Sequence, residues 1–127
     1  MEALFLLRII GVDPGTGHDD EAVLLQNQGA LKVYLAGYTI LAVGGEAGTG
    51  RVWHVFREEA VIPPRGYVLL RTAVGVPCAA RTRDGHEVFL DYACSEETLN
   101  SWGVDSLRVL NPQTPYALKS ASRFSVH

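Results

Sequence analysis

The stretch Leu31-Lys32-Val33-Tyr34-Leu35-Ala36-Gly37-Tyr38-Thr39-Ile40-Leu41-Ala42 decides the fold class. Apolar residues alternate at Leu31, Val33 and Leu35, change phase at Gly37, and continue as Tyr38, Ile40 and Ala42. A period of two belongs to a strand with one buried face, and a slip of one residue turns every side chain to the other face. Gly37 therefore marks a bend, a bulge or the start of a separate strand.

Working outward, the same texture recurs. Glu21 to Asn27 carries Val23 and Leu25 on one face, and Asn27-Gln28-Gly29 reads as a turn because Asn and Gly tolerate positive φ. Leu4 to Val12 is apolar except at Arg8, which predicts an opening strand buried on both faces or set at a sheet centre. Downstream, the glycine-rich loop 44–50 leads into Val52-Trp53-His54-Val55-Phe56, and Ile62-Pro63-Pro64-Arg65-Gly66 is a rigid turn that launches Tyr67 to Leu70. Arg83-Asp84-Gly85-His86 predicts a hairpin turn into Val88 to Tyr92. Asp105 to Leu110 is a last strong strand, stopped at Asn111-Pro112, with weaker strand character near Tyr116 to Leu118. Ser95 to Trp102 has room for one helical turn, and no longer window carries an apolar stripe of helical period. About seven to nine short strands, with turn signals roughly every 8–12 residues, predict an all-β sandwich or small barrel.

Length and composition agree. A chain of 127 residues is one domain with enough length for its own core. Hydrophobic residues make up 47% and charged residues 20%, which excludes a disordered chain. A net charge of −3 argues against a strongly basic nucleic-acid binder. The N-terminal apolar run lacks a positive n-region, so it predicts a strand rather than a signal peptide. No run of about 18 apolar residues is present, and the chain reads as soluble, with its compartment open. Cys78 and Cys94 form no CxxC pair; a bridge between them and two free thiols both fit the spacing.

Four segments, in order, resemble the lamin-tail domain family. Glu21 to Gly29 reads E-x-V-x-L-x-N-x-G, and Val33 to Ile40 reads V-x-L-x-G-[WY]-x-[IL]. Phe56 with Val61 to Val68 is similar to the family's aromatic strand, proline-rich turn and following strand. Leu99-Asn100-Ser101-Trp102-Gly103 with Asp105 to Asn111 is similar to its Asn-x-Trp-Gly turn and penultimate strand. The resemblance spans residues 4–118, with 119–127 as a tail, and implies a single immunoglobulin-like β-sandwich. Coiled-coil rod, basic localisation cluster and prenylation motif are all missing, so a role in the nuclear lamina is not implied. Trp53, Phe56, Tyr67, Phe89 and Trp102 would supply the bulky core and its rim. A fully buried Trp102 predicts a loss of about 3–5 kcal/mol in Trp102→Ala. A urea melt showing less than about 1 kcal/mol would place the ring at the surface.

Several constellations carry residue types suited to chemistry. Asp13, Asp19, Asp20 and Glu21, with His18 among them, cluster the oxygen ligands that calcium takes, but without EF-hand spacing, and a solvated acidic loop that caps a strand edge is the preferred reading. Gly45 to Gly50 continues as Arg51-Val52 into a strand, whereas a phosphate loop must open a helix. Ser95 or Ser101 with His86 and Asp91 lacks a nucleophile elbow, and His86 and Asp91 are five apart on one strand and face opposite ways. His54 reads as a sheet-face histidine, and Cys78 has only Arg81 nearby to activate it. Arg65, Arg71, Arg81 and Arg83 are the arginines that would have to gather into a nucleic-acid patch. With no catalytic set converging, the resemblance implies a non-enzymatic adaptor without a cofactor, presenting strand edges and the loops 13–20, 44–50 and 73–86 to a protein or membrane-associated partner. The alternative is a nucleic-acid-binding or calcium-binding accessory domain of a nuclease or other hydrolase.

Overall fold

The computed structural model describes residues 6–13, 21–44, 49–93 and 104–111. Within them lie ten strands and no helix. They are β1 (Leu7–Asp13), β2 (Ala22–Asn27), β3 (Val33–Tyr34), β4 (Thr39–Gly44) and β5 (Thr49–Val55), then β6 (Val61–Ile62), β7 (Tyr67–Arg71), β8 (Cys78–Arg81), β9 (Glu87–Tyr92) and β10 (Val104–Leu110). A five-stranded sheet has the order β1-β2-β7-β9-β8, a three-stranded sheet the order β10-β4-β5, and β3 pairs with β6 as a ribbon. All pairs are antiparallel except β7 with β9.

The two sheets close over one core. Val23, Leu25, Val68 and Leu70 from the larger sheet meet Ile40, Ala42 and Trp53 from the smaller, with Val33, Leu35, Phe56 and Ile62 sealing the ribbon side. The phase change at Gly37 is a tight turn between two separate strands. Tyr38 N donates to Leu35 O at 3.1 Å, and Gly37 has φ of 95°, the left-handed conformation that the third position of such a turn requires. Both registers on either side of it are buried as the alternation predicted, except that Leu31 lies exposed ahead of β3.

Three expectations need correction. First, β1 is not central but an edge strand, and Ile10 and Val12 are exposed on it. A register shift between Ile9 and Gly11 makes Ile10 the extra residue of a bulge, a common way of breaking an open edge. Second, segment 73–86 is not all loop, because β8 forms inside it. Cys-Ala-Ala-Arg has weak strand propensity, so this strand exists through its pairing with β9. Its return is the predicted hairpin, with Gly85 N donating to Thr82 O at 3.0 Å and Gly85 at φ 84°. Third, Asn27 serves through its amide; Arg65 is the described non-glycine residue with positive φ. The Asn27 side chain is fully buried, donates to Leu31 O at 2.9 Å and Ile62 O at 3.0 Å, and accepts from Gly29 N at 3.0 Å.

Burial raises the Tyr38 phenol above its ordinary value of 10.0 by desolvation. Folding thus favours the neutral ring. The stabilisation is complete below about pH 10 and is lost as the pH rises through the raised value. An alkaline absorbance titration should show a late-ionising tyrosine step, and Tyr38→Phe should remove it. Trp102, Cys94, the Ser95–Trp102 turn and residues 116–118 lie outside the described residues.

Candidate functional site

Sheet order leaves β8 at an edge, and among the described residues β9 is its strand partner. An antiparallel edge strand turns the N–H and C=O of alternate residues outward, with no neighbour to receive them. The chain from Val74 to Ala80 carries no charge, and Val74 and Val76 are 86% and 80% exposed. Gly75 between them rests on the Tyr92 ring, where a Cβ would come within 2.5 Å of a ring carbon.

Beside this edge runs a trough of about 470 Å³ between the ribbon and the β8–β9 hairpin. Ile62, Pro63, Ala79 and Phe89 supply apolar lining, and Arg81 and Glu87 pair at 3.6 Å at one end of it. Cross-strand partners share a face, so the pairing of Ala79 with Phe89 continues the inward row Leu25–Val68–Phe89–Ala79. Phe89 packs on the core, whereas Ala79 at the end of the row is exposed. The trough is thus the open side of the sandwich, where the smaller sheet does not reach.

A second feature lies at the opposite end of β9. The β4–β5 register slips so that Ile40 faces His54 and Leu41 faces Val52, leaving Trp53 as the extra residue of a bulge. Pairing with the core residue Ile40 sets His54 inward rather than on an outer sheet face, and Trp53 is also buried. His54 Nε2 lies 3.1 Å from Asp91 Oδ2, with the two side chains 14% and 6% exposed. Asp91 belongs to the inward row Val23–Leu70–Asp91, and its Oδ1 accepts from Tyr92 N at 2.8 Å. The pair therefore bridges the two sheets through the core. His54 also sits edge-on to Phe56 with ring centroids 4.8 Å apart. The sequence does not show that His54 on β5 is the partner of Asp91, because alternation within a strand does not reveal which strand of the other sheet faces it.

The remaining candidates disperse. His86 does not approach Asp91; it lies 4.0 Å from Asp84 and against the Tyr67 ring. Ser95 and Ser101 lie outside the described residues, as do His18, Asp19 and Asp20. Asp13 ends β1 on the surface, while Glu21 is buried and its carbonyl accepts from Thr72 N at 3.1 Å. No three acidic, histidine or cysteine side chains converge among the described residues. Arg71 cannot join the other arginines: it closes β7, about 13 Å from the Tyr67 end where Arg65, Arg81 and Arg83 lie. Asp84 and Glu87 are interleaved with that trio. Cys78 is a free, exposed thiol. No described helix is long and apolar enough to cross a membrane. No protein-family model matches the chain, and a search of the curated proteins finds no match either.

Proposed function

We propose that this chain is a non-enzymatic interaction module of lamin-tail type, an immunoglobulin-like sandwich that receives an extended segment of a protein partner along β8. The supporting observation is the coincidence of a strand edge that is unpaired among the described residues and uncharged from Cys78 to Ala80 with an apolar trough on the same side. A partner strand gains main-chain hydrogen bonds from the edge, and its alternate side chains enter the trough and set specificity. Ala79 and Ala80 are small enough for a partner backbone to approach, and no charge between Val74 and Ala80 repels it. The His54–Asp91 bridge stiffens the sandwich on which this edge is mounted.

Selection from a displayed random-peptide library tests this reading. Enriched sequences should alternate apolar and polar residues and lose at least about tenfold in affinity for Ala79→Lys, which puts a cation into the trough. Ala79 is exposed, so this variant should melt as the parent does. Selected peptides indifferent to Ala79→Lys would sink the proposal.

A further inference from the structure

The larger sheet has a second face, and it is apolar. Val23, Leu25, Val68 and Leu70 point into the core, so Leu24 and Leu69 between them point out. Register joins these into a row, Gly11–Leu24–Leu69–Leu90–Cys78, that crosses all five strands on the outside. Leu24, Leu69 and Leu90 are each partly exposed, and none packs on the core cluster. A solvated sheet face is ordinarily polar, and among the described residues no element packs over these three leucines.

The row ends in a pit. Gly11 has no side chain, and a Cβ built there meets nothing within 4 Å. A concavity of about 470 Å³ opens at this point, bordered by Gly11, Val12, Ala22, Leu24 and Leu69, with Asp13 and Arg71 as its charged members. On either side run the rows Arg8–Gln26–Tyr67–Val88–Ala80 and Asp13–Ala22–Arg71–Tyr92. Their charged members are Arg8, Arg71 and Asp13, and Asp13 is already engaged within the chain. The apolar stripe therefore has an arginine on each side, Arg8 and Arg71, with the Asp13 carboxylate in the same row as Arg71, in a protein whose net charge is −3.

We infer that this outer face is a second docking site, taking an amphipathic helix of a partner whose apolar stripe is flanked by carboxylates. The backbone sets the form of the occupant. Strands β2, β7 and β9 are paired on both sides, so this face has no spare main-chain groups and an arriving chain must satisfy its own, as a helix does. The row spans about 19 Å, the length of roughly 13 helical residues. Charge sets the flanks, since carboxylates complement Arg8 and Arg71. A second copy of this chain fits less well, because an isologous pairing would bring the same cations together.

The probe is a fluorescein-labelled helical peptide of about 14 residues with a leucine stripe flanked by glutamates, set against one with lysines in their place. Anisotropy should show saturable binding of the glutamate peptide, and amide shifts should centre on Leu24, Leu69 and Leu90. Gly11→Phe, whose Cβ would meet nothing within 4 Å and whose ring is meant to occupy the pit, and Arg71→Glu should each weaken it at least about tenfold at unchanged melting temperature. Ala79→Lys should leave it untouched, which separates this face from the β8 edge. Absence of binding, equal binding of the lysine peptide or shifts confined to the trough would overturn the inference. So would a dimer of the protein that Leu69→Gln dissociates.

Discussion

Asn27→Ala is expected to destabilise the protein by about 2–5 kcal/mol, read from urea unfolding. The amide of Asn27 is the partner of Leu31 O, in the β2–β3 connection, and of Ile62 O, in β6, and both carbonyls lose it together. A buried carbonyl left without a donor costs about 1–3 kcal/mol, well above the net worth of a typical hydrogen bond. The backbone of Asn27 also donates to Gly66 O at 2.9 Å and accepts from Arg65 N at 2.7 Å, and the substitution leaves those bonds in place. The loss should therefore appear as a lower unfolding midpoint with an unchanged slope. A change below about 1 kcal/mol would mean that the ribbon holds its position without this amide.

The second large effect belongs to the bridge across the core. His54→Leu strips Asp91 Oδ2 of its partner in a site where that side chain is 6% exposed, and about 3–5 kcal/mol should be lost. Asp91→Leu should also destabilise, since it removes the partner of His54 Nε2 and the acceptor of Tyr92 N. The double variant replaces both ends by apolar groups and should cost less than the sum of the singles, by about 1–3 kcal/mol. Strict additivity would show that the two side chains do not act on one another.

Much of the architecture was legible in the chain because strand periodicity is local. The alternation around Gly37, the proline turn at 63–66 and the Gly85 hairpin each carry their geometry in a few neighbouring residues. What escaped depended on pairing. β8 has no propensity signal and forms because β9 offers it a ladder. The slip between Ile40 and Leu41 reverses the side on which His54 emerges, and no feature of Trp53-His54-Val55 announces it. Edge position is likewise a property of sheet order, so the apolar run in β1 read as a central strand although it borders solvent. The outer leucine row was invisible for the same reason: Leu24, Leu69 and Leu90 are far apart in sequence and become neighbours through three registers.

On the proposed function, β8 is an edge that stays open for a partner strand. Residue-resolved hydrogen exchange of Cys78 to Arg81, free and saturated with a selected peptide, tests it most directly. In the free protein, alternate amides of β8 should exchange rapidly while their neighbours, bonded to β9, exchange slowly. Peptide binding should slow the fast ones and leave β1 unchanged. Uniform slow exchange in the free protein, or fast β8 amides that stay fast in the complex, would contradict the account.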